Sequence, residues 1–240
     1  VWQTWGEGAT QRKGAVTQVW SQLTSDFTDD SVNKTSEYSR RLTAHDMATG
    51  NPTGETYIIT GYKDSSFSPT DPSLEYSKQV SLGPVTGFGT NTSISGEAIK
   101  ISSGLNASFG DRGSTQYSEQ LTSGDTTYVI SNYDKNFSVT SALEYSMQVK
   151  EYATDHCFEG VCYNDKDWTK TYSNLNSHFD AALTDSPSAQ YSLQYSEGYV
   201  TQFGDLEVSG EKIRVFSNLD ETFIAKPAGT QYSEQLVSGD

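Results

Sequence analysis

Apolar and polar residues alternate with a period of two along most of this chain. Thr56-Tyr57-Ile58-Ile59-Thr60, Thr127-Tyr128-Val129-Ile130-Ser131 and Lys212-Ile213-Arg214-Val215-Phe216 are rich in β-branched and aromatic residues. Such runs read as half-buried strands. Helical spacing is nearly absent; residues 10–25 and 143–152 fit the strand pattern better than a helix. Gly, Pro and Asp turn signals are dense, among them GNPTG, SPTDP, GPVTG and TDSP. The expectation is an all-β chain of short antiparallel strands.

The pattern repeats. Residues 73–125 and 188–240 align over their whole lengths, sharing YS, VT-FG, SGE and TQYSEQL-SGD. Fixed-period self-similarity of this kind marks a repeat architecture. A smaller unit recurs inside it: a hydroxyl residue, a turn-former, Tyr or Leu, a short polar spacer, then Phe. Its six copies are SQLTSDF (21–27), TGYKDSSF (60–67), SGLNASF (103–109), SNYDKNF (131–137), SNLNSHF (173–179) and SNLDETF (217–223). Each is followed by a Tyr-Ser strand, at Tyr38, Tyr76, Tyr117, Tyr145, Tyr191 and Tyr232.

Asn or Gly at the second position tolerates left-handed dihedrals and bends the chain there. The Phe then folds back over the same apolar patch. In the following strand, Tyr faces one side while Ser and Gln face the other. Six aromatic-lined units, three per half, predict an internally duplicated antiparallel β repeat with halves at 11–125 and 126–240. Two arrangements stay open: two β-sandwich or barrel-like domains, or one closed β ring in which Val16–Trp20 meets the last strand.

The stretch Tyr133-Asp134-Lys135-Asn136-Phe137 resembles the aromatic–polar–aromatic motif of the βγ-crystallins. The chain departs from that pattern: three units make each half, and only Phe109-Gly110 keeps the glycine after the second aromatic. The resemblance stops at the spacing.

Composition narrows the functional classes. The 240 residues carry a formal net charge of −15, which opposes nucleic acid and anionic membrane surfaces. No apolar run approaches a membrane span. Ser and Thr together make 60 of the 240 residues, and the core must draw on 15 Tyr and 10 Phe. The chain begins at Val1, which reads as a processed, secreted and extracellular protein.

Cys157 and Cys162 are spaced as C-x4-C within an insert, 153–168, that breaks the symmetry of the halves. A disulfide suits that spacing and an oxidising compartment. Sequons at Asn33, Asn91, Asn106 and Asn136 point to glycosylation. Asp165 and Asp167 are candidate calcium ligands, because hard cations take oxygen ligands from acidic loops.

No zinc helix, nucleophile elbow, P-loop or dinucleotide fingerprint occurs. The carboxylate pairs Asp29/Asp30, Asp165/Asp167 and Asp180/Asp185 are the sole support for a polysaccharide hydrolase. The residues favour a non-catalytic binding protein with repeated shallow sites for carbohydrate. Trp2, Trp5, Trp20 and Trp168 are candidate stacking platforms, Trp20 fitting the core better. The second reading is an extracellular matrix or filament subunit that self-associates by strand addition. No binding residue is named by the sequence.

Overall fold

A computed structural model describes residues 2–5, 11–21, 37–46, 48–62, 74–153, 156–158, 161–163, 166–180, 188–201, 210–224, 226 and 229–237. The chain is all-β, and the described residues contain no helix. The first strands are β1 (Trp2–Trp5), β2 (Arg12–Ser21), β3 (Glu37–His45), β4 (Pro52–Tyr62), β5 (Glu75–Phe88), β6 (Asn91–Leu105) and β7 (Gln116–Ser123). Then come β8 (Thr126–Ser131), β9 (Glu144–Ala153), β10 (His156–Phe158), β11 (Val161–Tyr163), β12 (Lys166–Leu175), β13 (Gln190–Val200), β14 (Gly210–Leu219) and β15 (Gln231–Val237).

Thirteen of these form one antiparallel sheet in chain order, β1 to β9 and then β12 to β15. Strands β10 and β11 form a separate two-stranded ribbon from the cysteine insert. The expected ring does not close. Val16–Trp20 in β2 pairs with β3, β1 pairs with Arg12–Ala15 of β2, and β1 and β15 stand at opposite ends of the sheet order. The sheet also runs unbroken through residues 125 and 126, where β7 and β8 pair from Ser118↔Ser131 to Ser123↔Thr126.

The two faces differ sharply. One carries the buried residues: Leu42, Tyr57, Ala98, Tyr117, Leu121, Ile130, Trp168, Tyr191, Leu193, Tyr195 and Phe216. Alternation places Ser77, Gln79, Ser118, Gln120, Ser146, Gln148, Ser192 and Gln194 on the other, where none is buried. The Ser and Gln of these four Tyr-Ser strands thus lie on the polar side.

The turn-former positions have a single explanation. Gly61, Gly104, Asn132, Asn174 and Asn218 all take positive φ, between 55° and 86°. Register shifts fall at four of these positions: beside Gly61 in the β3–β4 ladder, Gly104 in β5–β6, Asn174 in β9–β12 and Asn218 in β13–β14. A left-handed residue in a bulge adds one residue to its strand. The residue after it therefore returns to the apolar face, as Leu105, Leu175 and Leu219 do, all buried.

The Phe positions are equally uniform. Phe109, Phe137, Phe179 and Phe223 have φ of 57°, 57°, 61° and 61°. Each donates its N–H to the carbonyl three residues earlier, on Asn106, Asp134, Asn176 and Asp220. The same four side chains accept two further backbone N–H groups through Oδ1, as Asp220 does from Thr222 and Ile224 at 2.8 and 2.9 Å. Such Asx turns hold a short loop in one shape. Left-handed φ is costly for Phe, and ring burial offsets that cost. Phe223 meets Tyr172 and Tyr191 edge-on at 5.0 and 5.6 Å, and Phe179 meets Tyr128 and Tyr145 at 5.1 and 5.5 Å. Phe109 does the same with Tyr57 and Tyr76, at 5.0 and 5.5 Å. In each case the loop reaches back to Tyr residues of an earlier strand pair. Phe27 and Phe67 lie outside the described residues.

The β5–β6 hairpin is the longest and does not stay in plane. Register shifts at Ser81/Gly83 and Thr86/Phe88, with Gly83 and Gly87 at φ of 69° and 90°, let it bend over the apolar face. Phe88 at its tip packs with Leu121, Ile130, Leu175 and Phe179. Thr90 Oγ1 and Asn91 Nδ2 donate to the carbonyls of Ser177 and His178 at 2.8 and 2.9 Å. This ribbon gives the middle of the sheet a second layer, and so a core.

Candidate functional site

A cleft of about 390 Å³ opens where β12, β13, β14 and β15 meet their Phe loops. Its lining is Ser173, Gln190, Tyr191, Ser192, Ser217, Asn218 and Gln231. Register builds it. Ser173 stands opposite Gln190, Ser192 opposite Ser217, and Ser217 opposite Gln231. Alternation sends these hydroxyls and amides to the polar face, and the bulge at Asn218 widens the gap between neighbouring rows.

The cleft is held from its own loop. Asn218 Nδ2 donates to the Gly229 carbonyl at 2.8 Å, and its Oδ1 accepts from Lys226 Nζ at 3.4 Å. Thr230 Oγ1 donates to the Asn218 carbonyl at 3.4 Å. Beneath lies Tyr191, 3 % exposed; burial raises its phenol above the ordinary value, so it stays neutral at any physiological pH. Among the described residues none of the lining side chains bears a charge. Its hydroxyls and side-chain amides present both hydrogen-bond donors and acceptors.

The residues named from sequence lie elsewhere. Trp168 is 1 % exposed, with its ring 4.5 Å from Tyr195. It is core and not a stacking platform, because its position in β12 alternates onto the apolar face. Trp5 is half-buried and stacks on Phe109 at 6.3 Å. Trp2 and Trp20 lie in β1 and β2, with side chains outside the described structure.

Cys157 and Cys162 are Cα partners across β10–β11. Directly opposed antiparallel residues lie about 4.5–5.5 Å apart, within the span a disulfide bridges. Asp165 falls outside the described residues, and Asp167 pairs through its backbone with Tyr152. Among the described residues no three His, Cys, Asp or Glu side chains gather as a metal site.

Asn33 lies outside the described residues. Asn91 spends its amide on His178, and Asn106 accepts from Ser108 and Gly110 at 2.9 Å each. Asn136 is exposed. His178 is exposed.

The cleft residues were not singled out by the sequence, although their signal was present: Ser-Asn ahead of the bulge and Gln-Tyr-Ser opening the next strand. Comparison with known proteins finds no matching family, no matching curated relative and no matching solved structure.

Proposed function

We propose that the chain is a secreted, extracellular carbohydrate-binding protein whose polar sheet face carries the ligand sites. The observation that carries this reading is the uncharged cleft lined by Gln190, Gln231, Asn218 and three serines. Sugars present hydroxyl groups that both donate and accept. Side-chain amides and hydroxyls match them in kind, each net hydrogen bond being worth about 0.5–1.5 kcal/mol. Single sites of this kind are weak, and several along one sheet raise affinity through avidity.

The test is retention on a panel of insoluble polysaccharides and a glycan array, with and without EDTA. Retention that falls in Gln190→Ala and Gln231→Ala supports the reading. A blank panel removes it. Loss with EDTA alone assigns the ligand contact to calcium instead of the cleft.

One observation favours a structural, self-associating role as the second reading. Tyr232 on β15 is 56 % exposed, whereas Tyr117, at the same place in the near-identical strand β7, is 8 % exposed. β7 has β8 on its outer side and Phe137 against Tyr117 at 5.5 Å. Among the described residues β15 has only β14. A strand added to β15 would cover Tyr232. Light scattering that finds a monomer at high concentration rules this out.

A further inference from the structure

The cleft has a counterpart two units earlier, on β6 to β9, and the counterpart's strand residues differ by one charge. Ser103 stands opposite Gln116, Ser118 opposite Ser131, and Ser131 opposite Glu144. This is the register of Ser173–Gln190, Ser192–Ser217 and Ser217–Gln231. The loop contacts match too. Asn132, at φ 66°, donates through Nδ2 to the Ala142 carbonyl at 3.1 Å. Asn218 makes that bond to Gly229, and both acceptors lie two residues before the strand opens. Thr140 Oγ1 donates to the Asn132 carbonyl at 2.9 Å, as Thr230 does to Asn218. Among the strand residues only the one on the outer strand changes in charge, from Gln231 to Glu144; Lys226, bonded to Asn218, has no counterpart on Asn132 among the described residues.

Glu144 is exposed and forms no ion pair with a described residue. The strand residues around it are the same serines and glutamine as in the first cleft. We propose that Ser103, Gln116, Ser118, Ser131, Asn132 and Glu144 form a second site that selects an amino-bearing sugar, the carboxylate receiving an ammonium group where Gln231 receives a hydroxyl. This rests on the carbohydrate reading above. A hydroxyl-to-ammonium exchange adds a donor and a positive charge, and the second site answers with an acceptor and a negative charge.

The experiment is calorimetric titration of the 240-residue chain with two hexamers on the same β-1,4 backbone: cellohexaose, and the glucosamine hexamer at mildly acid pH. The two differ only at carbon 2. The expected result is that Glu144→Gln lowers affinity for the glucosamine hexamer about fivefold, the scale of an exposed ion pair, and does not lower affinity for cellohexaose, which the substituted site now matches. Gln231→Glu raises affinity for the glucosamine hexamer, and added salt weakens only that ligand. Unchanged thermal unfolding of Glu144→Gln shows that the fold is intact. Cellohexaose binding with no effect of Glu144→Gln on the amine ligand overturns the second site and leaves the neutral cleft standing. Amine binding lost in Glu144→Gln, with no cellohexaose binding, keeps the second site and overturns the neutral cleft. Binding of neither hexamer overturns both.

Discussion

Phe223 stands edge-on to Tyr172, ring centroids 5.0 Å apart, though the two are held by different hairpins. Phe223 belongs to the loop between β14 and β15, and Tyr172 to β12. The contact crosses β13, and Lys170 Nζ lies 5.3 Å from the centre of the same Phe ring while pairing with Glu151 at 2.7 Å. Lys100 repeats the arrangement, 4.7 Å from Phe137 and 3.4 Å from Glu119. Loop, ring and cation lock one hairpin to the next along the sheet. Without them a single-layer meander would have little but its backbone ladder to keep it rigid.

Phe223 is 6 % exposed, so Phe223→Ala removes a buried ring and leaves a cavity that the Tyr pair cannot fill. The expected cost is about 3–5 kcal/mol, read from urea unfolding. Phe137→Ala costs less, because Phe137 is only half-buried.

Asn218 combines a left-handed backbone with a side-chain bond to Gly229. Asn218→Gly keeps the backbone freedom and loses the bond, at about 1 kcal/mol. Asn218→Val must also force a β-branched residue to positive φ, which adds about 1–2 kcal/mol. A smaller loss for Val than for Gly in thermal unfolding would contradict the assignment of the bulge.

The loop carboxylates set a pH dependence. Backbone N–H groups bonded to Asp134 and Asp220 hold both carboxyls below the ordinary value. A group whose folded pKa lies below its unfolded one contributes stability that is present above the unfolded value, about 3.9. That stability is lost as pH falls through the folded value. Melting temperature is therefore flat near neutrality and drops below about pH 4. Asp134→Asn with Asp220→Asn flattens that drop, since asparagine keeps the accepting oxygen, as Asn106 and Asn176 do in their loops.

Cα pairing of Cys157 with Cys162 predicts a disulfide in protein prepared under oxidising conditions. The intact mass should be lower by two hydrogens, and both thiols should resist alkylation until reduced. Two freely alkylated thiols in the oxidised preparation would contradict it.

Much of the fold was legible because its rules are local. Alternation located the strands, and the demand for positive φ explained Asn or Gly after Ser or Thr in five of the six units. The return of Phe onto the apolar face was foreseen, but its partners were not: the ring meets tyrosines of an earlier strand pair and not its own unit's patch. What stayed hidden depends on strands far apart in sequence. Whether β2 meets β15 turns on the curvature of the whole sheet, and β1 and β15 stand at opposite ends of its order. That β5–β6 bends over the sheet to place Phe88 on Phe179, 5.9 Å away, requires two register shifts that alternation does not reveal. The cleft was missed for the same reason. Ser173 and Gln231 come together only once four strands have taken their register, and tryptophans, read as sugar platforms from their chemistry, were claimed in part by the core.

The central claim is that ligand is held on the Ser/Gln face at the β12–β15 cleft. Nuclear magnetic resonance titration of the labelled chain with a retained oligosaccharide tests it most directly. The account predicts that the side-chain amide signals of Gln190, Gln231 and Asn218 shift with the backbone signals of Ser192 and Ser217, while those around Leu121 and Leu193 stay still. Shifts confined to the aromatic face, or to residues remote from both repeats of the cleft, would contradict it.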